Sequence, residues 1–242
     1  MISALIRTLI SRVLLFLIML IFFIPMLIAI LVPKQWLYDS KLFFLCVHVF
    51  YWLIIKCSFI PITFHGLENA PKEPSIIVSN HQSSLDIPLI GYTLKAYPHI
   101  WLAVAYLMTS PVLRFILPLL AILVDTSSPL RGMRSLNQAI KHIASNNRHV
   151  IIFPEGSRYV DAMVHEFFSG FVILARRTGR PVVPVRIFGA YKVYPPNSFL
   201  VQYHPIHVVV GKPMRMQEGE EIDAFKQRVR AWFLKQEKSQ YT

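Results

Sequence analysis

The sequence is poor in cysteine, with only Cys46 and Cys57 among its 242 residues. Both lie in or beside apolar sequence, a placement that predicts neither a zinc site nor a disulfide framework. Two free thiols suit a domain that faces a reducing cytoplasm.

Acidic residues are also scarce: 13 Asp and Glu stand against 25 Lys and Arg, which gives a net charge of +12. Such an excess indicates an anionic partner. The basic residues are scattered, and the sequence has no Lys/Arg run and no recognisable nucleic-acid-binding motif, so we expect no nucleic acid partner. Because a long apolar segment stands near the start of the chain, anionic lipid headgroups and phosphorylated substrates explain the charge better.

The longest apolar run, Val13 to Val32, is uninterrupted by charge. A bilayer core of about 30 Å needs about 20 apolar residues in a helix, so this run predicts a membrane helix. A second apolar stretch, Leu42–Ile60, predicts a second span, a re-entrant arm or a helix in the interface. Cations flank the first run at both ends, which suits a hairpin that dips into one leaflet and returns. We expect residues 1–61 to anchor the chain in a membrane.

From residue 62 to 242, short β-rich runs alternate with amphipathic stretches. The predicted strands are 62–65, 75–79, 121–125, 150–153, 182–187 and 207–210. The predicted helices are 87–94, 134–144, 167–178 and 222–237. Such alternation predicts an α/β layered domain with a largely parallel sheet flanked by helices.

A polar motif, Asn80-His81-Gln82-Ser83-Ser84-Leu85-Asp86, follows the predicted strand 75–79. Active sites of open α/β sheets collect at the carboxyl ends of strands. Five residues of regular helix turn through about 500°, so His81 and Asp86 can meet only if His81 lies in the loop and Asp86 in the first helical turn. Asp86 could then orient the imidazole, as in hydrolytic triads. A helix cap beside a loop histidine is the alternative for this pair taken alone.

A second motif, Phe153-Pro154-Glu155-Gly156-Ser157-Arg158, follows the predicted strand 150–153. Gly156 permits a sharp turn, while Glu155 and Arg158 present opposite charges beside the first motif. Arg158 could grip a phosphate with a bidentate fork. A turn that contains a surface ion pair is the alternative.

Together the two motifs resemble the glycerolipid acyltransferase family, whose best-known members acylate 1-acylglycerol-3-phosphate to phosphatidate. Asn80–Asp86 resembles the family's N-H-x4-D block, and Phe153–Arg158 resembles its F-P-E-G-[ST]-R block. Val183-Pro184-Val185 resembles its fourth block, a V-P-V strand near the acyl-binding region. The resemblance covers most of residues 62 to 215 and keeps the family's motif order.

The resemblance implies an enzyme on the cytoplasmic face of a membrane that moves a fatty acyl group from acyl-CoA or acyl-carrier protein to a lysophospholipid hydroxyl. His81 would act as the general base and Asp86 would hold its tautomer. Glu155, Gly156, Ser157 and Arg158 would bind the acceptor headgroup. Backbone N–H groups at the start of the helix after His81 are possible donors to the oxyanion. No metal or tightly bound cofactor is required.

Three positions where the family carries cations are neutral here: Val104, Thr126 and Phe168. A missing charge-assisted hydrogen bond to phosphate typically forfeits about 1.5–3 kcal/mol. The acceptor could therefore be a different lysolipid, or another membrane alcohol or amine. A non-catalytic lipid-binding homologue is a further alternative. A lipid hydrolase is disfavoured, because the sequence has no Gly-x-Ser-x-Gly elbow.

Overall fold

The structure is a computed structural model that describes residues 2–236 apart from residues 39, 110, 126 and 197. Its α-helices are α1 (Ile2–Leu31), α2 (Lys34–Tyr38), α3 (Lys41–Cys57), α4 (Asp86–Thr93), α5 (Pro111–Leu120), α6 (Pro129–Ala144), α7 (Gly170–Thr178), α8 (Ala190–Val193) and α9 (Ile222–Lys235). Its strands are β1 (Ile62–His65), β2 (Ile76–Ser79), β3 (His99–Val104), β4 (Ala121–Val124), β5 (His149–Ile152), β6 (Val182–Phe188) and β7 (Ile206–Val210).

The strands form one sheet in the order β1-β7-β6-β2-β5-β3-β4. The pairs are parallel except for β6 and β7, which run antiparallel. This topology confirms the predicted α/β fold with a largely parallel sheet. Because β2 pairs with β5 in the middle of the sheet, the loops that follow these two strands leave from the same edge. Both sequence motifs lie in those loops.

The core lies on both faces of the sheet. On one face Ile77 packs in a buried cluster with Leu89 and Ile90 of α4. On the other face Ile76 packs in a cluster with Phe171 of α7 and Phe225 of α9. A central parallel strand covered on both faces consists of apolar residues without alternation, and β2 shows this pattern. The helices on both faces hold the carboxyl edge of the sheet in place.

Three elements of the sheet domain were not predicted from the sequence: β3, α5 and the short helix α8. The β3 residues form a short apolar run, and periodicity alone does not distinguish such a run from a buried helix. Helix α5 contains Pro118, which disfavours the interior of a helix. The predicted end of the last helix, residue 237, lies outside the described residues.

In the described part of the chain, α1 is the one helix long and apolar enough to cross a membrane. The second apolar stretch forms α3, whose buried face packs on α4. The approach is close, since a Cβ on Gly91 of α4 would lie 2.1 Å from the ring of Tyr51. Ile55 of α3 joins the buried cluster beneath α4, so α3 shares a core with the sheet domain.

Helix α1 contacts the sheet domain near both of its ends. Near its start, Thr8 accepts a hydrogen bond from the Val201 N–H at 2.9 Å, and Arg12 donates one to the Tyr194 hydroxyl at 2.7 Å. Near its end, Ala29 packs in a buried cluster with Leu119 of α5. A helix of 30 residues is about 45 Å long, so α1 runs alongside the domain and does not project from it.

Candidate active site

The first motif leaves the sheet at the end of β2. The structure places His81 in the loop and Asp86 at the first residue of α4. The His81 Nδ1 atom lies 2.8 Å from Asp86 Oδ2. The Asp86 side chain is fully buried, whereas the His81 side chain is 12% exposed. The loop-to-helix boundary therefore brings together two side chains that a continuous helix would separate.

The Asp86 carboxylate organises the loop as well as the imidazole. Its Oδ2 atom also accepts the backbone N–H of Gln82 at 2.6 Å and that of Ser83 at 2.8 Å. Three hydrogen bonds to one oxygen hold the carboxylate in one orientation. They also engage the first two N–H groups after His81, so in this geometry Gln82 and Ser83 offer no free N–H to an oxyanion. Binding of the oxyanion by N–H groups at the start of α4 stays a prediction.

The second motif holds the backbone and ring of His81. The imidazole stacks on the Phe153 ring with the ring centroids 3.8 Å apart and the planes 11° apart. The His81 N–H donates to Glu155 Oε2 at 3.0 Å, and the His81 carbonyl accepts from the Tyr159 N–H at 2.9 Å. The loops after β2 and β5 thus form one unit around the imidazole.

Arg158 completes the surroundings of the imidazole. Its Nε atom donates a hydrogen bond to His81 Nε2 at 3.1 Å. Because a guanidinium can only donate, His81 Nε2 must be the acceptor and Nδ1 must carry the proton that Asp86 accepts. This is the tautomer in which Nε2 can serve as a general base.

Glu155 lies inside the protein, with its side chain about 3% exposed. Its Oε1 atom accepts the His165 N–H at 3.1 Å, so each carboxylate oxygen is engaged by a backbone donor. Burial raises the pKa of Glu155, and the hydrogen bonds from His81 and His165 oppose that rise. In this geometry Glu155 positions the two loops, while its contact with an acceptor headgroup stays a prediction.

Gly156, Ser157 and Arg158 form an exposed turn after Glu155. Gly156 has a φ of +71°, and a Cβ there would lie 2.7 Å from Cε2 of the exposed Phe168 ring. Only glycine meets both the dihedral angle and the space without strain. The turn therefore allows Arg158 to reach back to His81.

The V-P-V segment, Val183-Pro184-Val185, lies within β6 and is buried. Val183 and Val185 belong to the buried cluster beneath α4, and Pro184 is in register with Val78 of β2. The segment supports the strand that carries the first motif. Its role in binding an acyl chain stays a prediction.

Two of the three neutral positions are described. Val104 ends β3, and Phe168 covers Gly156 at the surface. Thr126 lies outside the described residues. Both described side chains are apolar, so neither offers a positive charge to a headgroup.

Sequence reasoning missed Arg186, which lies beside the candidate site. It lines a cavity of about 280 Å³ together with Gln82, Ala162, Phe188, Gly189, Tyr191, Lys192 and Gln236. The Arg186 guanidinium donates to the carbonyls of Phe233 and Ala162, and thereby ties β6 to the end of α9. A single cation within an apolar strand was the signal that could have identified it.

Within residues 2–236, outside the four positions not described, no group of three or more His, Cys, Asp and Glu side chains is arranged to hold a metal ion. The chemistry that the site can perform is that of a histidine base with a fixed tautomer, next to an exposed cation. Such a base can take a proton from a hydroxyl as it attacks an acyl carbon.

Comparisons with known proteins point to acyltransferases. An acyltransferase family model matches residues 61–188. The 1-acyl-sn-glycerol-3-phosphate acyltransferase of Limnanthes alba is 30% identical over 172 residues, which are 71% of this chain and 60% of that protein. The protein of the same name from Pseudomonas aeruginosa is 29% identical over 185 residues, which are 75% of this chain and 70% of that protein. The chain thus spans less than two thirds of the length of the plant relative.

The fold also matches a solved structure, the crystal structure of the 1-acyl-sn-glycerophosphate (LPA) acyltransferase PlsC from Thermotoga maritima. The TM-score is 0.76 at 22% sequence identity. The match covers 96% of this chain and 94% of that chain. The two proteins share a fold over nearly their whole lengths.

Proposed function

Because the chain belongs to the glycerolipid acyltransferase family, we propose that it is a membrane-bound enzyme that acylates a lysophospholipid. The acyl donor is acyl-CoA or acyl-carrier protein, the acceptor is 1-acylglycerol-3-phosphate, and the product is phosphatidate. The observation that carries this proposal is the His81–Asp86 pair, whose Nε2 atom carries no proton and accepts a hydrogen bond from Arg158.

The reaction needs one base and no covalent enzyme intermediate. His81 Nε2 takes the proton of the acceptor hydroxyl while the hydroxyl oxygen attacks the thioester carbonyl carbon. The new C–O bond creates a tetrahedral oxyanion, whose collapse breaks the C–S bond. The leaving thiolate takes the proton back from His81, so an ester and a free thiol are released. General-base assistance of this kind typically contributes about 10²–10⁴-fold in rate.

The other motif residues support these steps. Asp86 keeps the Nδ1 proton in place and stabilises the imidazolium as it forms. Glu155 holds the backbone of His81 through its N–H. Arg158, exposed on its turn, is the cation placed to meet an acceptor phosphate.

The membrane association that we propose is that of a helix lying in the interface. Helix α1 touches the sheet domain near both ends, which favours a helix that stays with the domain at the interface over one that leaves the domain to cross the bilayer. Its outward face is apolar, with large exposed side chains at Leu5, Leu9, Phe16, Leu20, Ile24 and Leu31. An exposed apolar face of this size is stabilised when it is buried in the boundary between headgroups and acyl chains, while the domain stays at the interface. The sheet domain then faces the cytoplasm, where a water-soluble thioester donor is available.

The test is acyl transfer by the purified protein in phospholipid vesicles. Labelled acyl-CoA and acyl-carrier protein are offered with lysophosphatidate, other lysophospholipids and monoacylglycerol. We expect transfer to lysophosphatidate, and a loss of about 10²–10⁴-fold for His81→Ala. Transfer to none of these acceptors would exclude the proposed activity. The apolar side chains at Val104 and Phe168 favour a second candidate, the same chemistry on an unphosphorylated acceptor, which the panel also tests.

A further inference from the structure

The atom that the reaction needs is already occupied in this structure. His81 Nε2, the proposed base, accepts a hydrogen bond from Arg158 Nε at 3.1 Å. Asp86 holds Nδ1, and Phe153 covers one face of the ring. A hydroxyl can therefore reach Nε2 only after Arg158 has moved away.

The structure also leaves Arg158 able to move. Its side chain is exposed, and among the described residues no Asp or Glu forms an ion pair with it. Its partner at Nε is a neutral imidazole nitrogen. The imidazole offers the guanidinium one neutral acceptor, whereas a phosphate carries negative charge and can engage the guanidinium at two points. A phosphate that enters the site therefore competes well with the imidazole for Arg158.

We propose that Arg158 determines acceptor specificity by acting as a gate on the His81 base. In the closed state Arg158 blocks Nε2, and in the open state the acceptor's phosphate has drawn the guanidinium away and left Nε2 free for the hydroxyl. The inference rests on the proposed function and deepens it, because recognition of the acceptor's phosphate then frees the base that performs the chemical step. Binding energy at a remote group is then used to raise the rate and not only the affinity.

The gate and a simple phosphate contact predict different behaviour of an acceptor that has no phosphate. A simple contact leaves transfer to monoacylglycerol unaffected when Arg158 is removed. The gate predicts that removal of Arg158 increases the rate of transfer to monoacylglycerol, because an acceptor without a phosphate has no group that draws Arg158 away from His81. Breaking one solvent-exposed hydrogen bond corresponds to about a threefold to tenfold effect in rate.

The experiment compares wild type, Arg158→Ala and the control Arg177→Ala, which removes another exposed arginine at the end of α7. We expect Arg158→Ala to lose activity on lysophosphatidate and to gain about threefold to tenfold in kcat/KM on monoacylglycerol. Arg177→Ala should behave as wild type on both acceptors. Inorganic phosphite, added in trans, should accelerate transfer to monoacylglycerol by wild type and have no effect on Arg158→Ala.

A third measurement, besides the comparison of variants and the addition of phosphite, does not require acyl transfer. Diethyl pyrocarbonate acylates accessible imidazole nitrogen, and modification of His81 can be followed by mass spectrometry of its peptide. With no substrate present, His81 should react faster in Arg158→Ala than in wild type or Arg177→Ala.

The gate is overturned if Arg158→Ala transfers no faster to monoacylglycerol, if phosphite does not stimulate wild type, or if His81 reacts equally fast in all three proteins. Absence of transfer by wild type to every acceptor contradicts the proposed function instead. The reactivity of His81 then still decides whether Arg158 blocks the base.

Discussion

Asp86→Asn is the substitution that tests the site most directly. In the structure Asp86 Oδ2 accepts three N–H groups, from His81 Nδ1, Gln82 and Ser83. An asparagine can turn its amide oxygen toward all three donors, so the loop and the histidine tautomer can be kept. What is lost is the negative charge behind the imidazole.

The expected loss of kcat in Asp86→Asn can be estimated from the hydrogen bonds that Asp86 accepts. Each of the three bonds changes from charge-assisted to neutral, a difference of about 1 kcal/mol per bond. The bonds to Gln82 and Ser83 are present in both the ground state and the transition state, so only the bond to His81 acts on the rate. As the imidazolium forms, a charge-assisted bond there contributes about 1.5–3 kcal/mol, or roughly 10- to 150-fold at 25 °C. The amide NH2 would also occupy the place of Oδ1, which is buried and has no hydrogen-bond partner in the described structure. A buried unsatisfied donor costs about 1–3 kcal/mol of folding free energy.

The assay is kcat for acyl transfer to saturating lysophosphatidate, together with the thermal unfolding of the same preparations. We expect kcat to fall by about 10²-fold and the melting temperature to drop. The matched control is Asp223→Asn, which makes the same chemical change in the first turn of α9, where the side chain is 81% exposed. A kcat for Asp86→Asn within about threefold of the control would refute the role assigned to the His81–Asp86 pair.

Three further predictions follow from the structure. In Glu155→Gln the amide NH2 must face the N–H of either His81 or His165, so one of these two donors loses its acceptor. We expect kcat to fall about tenfold with little change in KM. An effect on KM alone would favour a contact between Glu155 and the acceptor headgroup instead. Burial lowers the pKa of His99 to about 4 and of His149 to about 3, so below about pH 6.5 the unfolded chain binds more protons than the folded chain. The free energy of unfolding should therefore fall as the pH drops from 6.5 toward 4. Chemical denaturation at a series of pH values measures it, and a free energy that does not change over this range would contradict the burial argument. Leu20→Lys places a charge on the exposed face of α1 and should reduce flotation with phospholipid vesicles, whereas unchanged flotation would show that this face does not meet the membrane.

The sheet domain was predicted well where its signals are local. Short apolar runs that end in polar motifs indicated β2 and β5. Because active sites of open α/β sheets collect at the carboxyl ends of strands, both motifs were expected at one edge of the sheet. The boundary between His81 in a loop and Asp86 in a helix followed from the turn angle of a helix. The prediction failed for β3 and α5, because a short apolar run and a helix with an internal proline carry weak local signals.

What the sequence by itself determined is the fold class, the family and the identity of the paired residues, since each depends on residue order and spacing along the chain. Only the tertiary structure decided how those residues are used. It turned Glu155 inward to backbone N–H groups, assigned the N–H groups of Gln82 and Ser83 to Asp86, and set Arg158 against His81 Nε2. These contacts join loops from different strands, and their geometry depends on the packing of β2 against β5. Spacing along the chain carries no record of the direction in which a side chain turns.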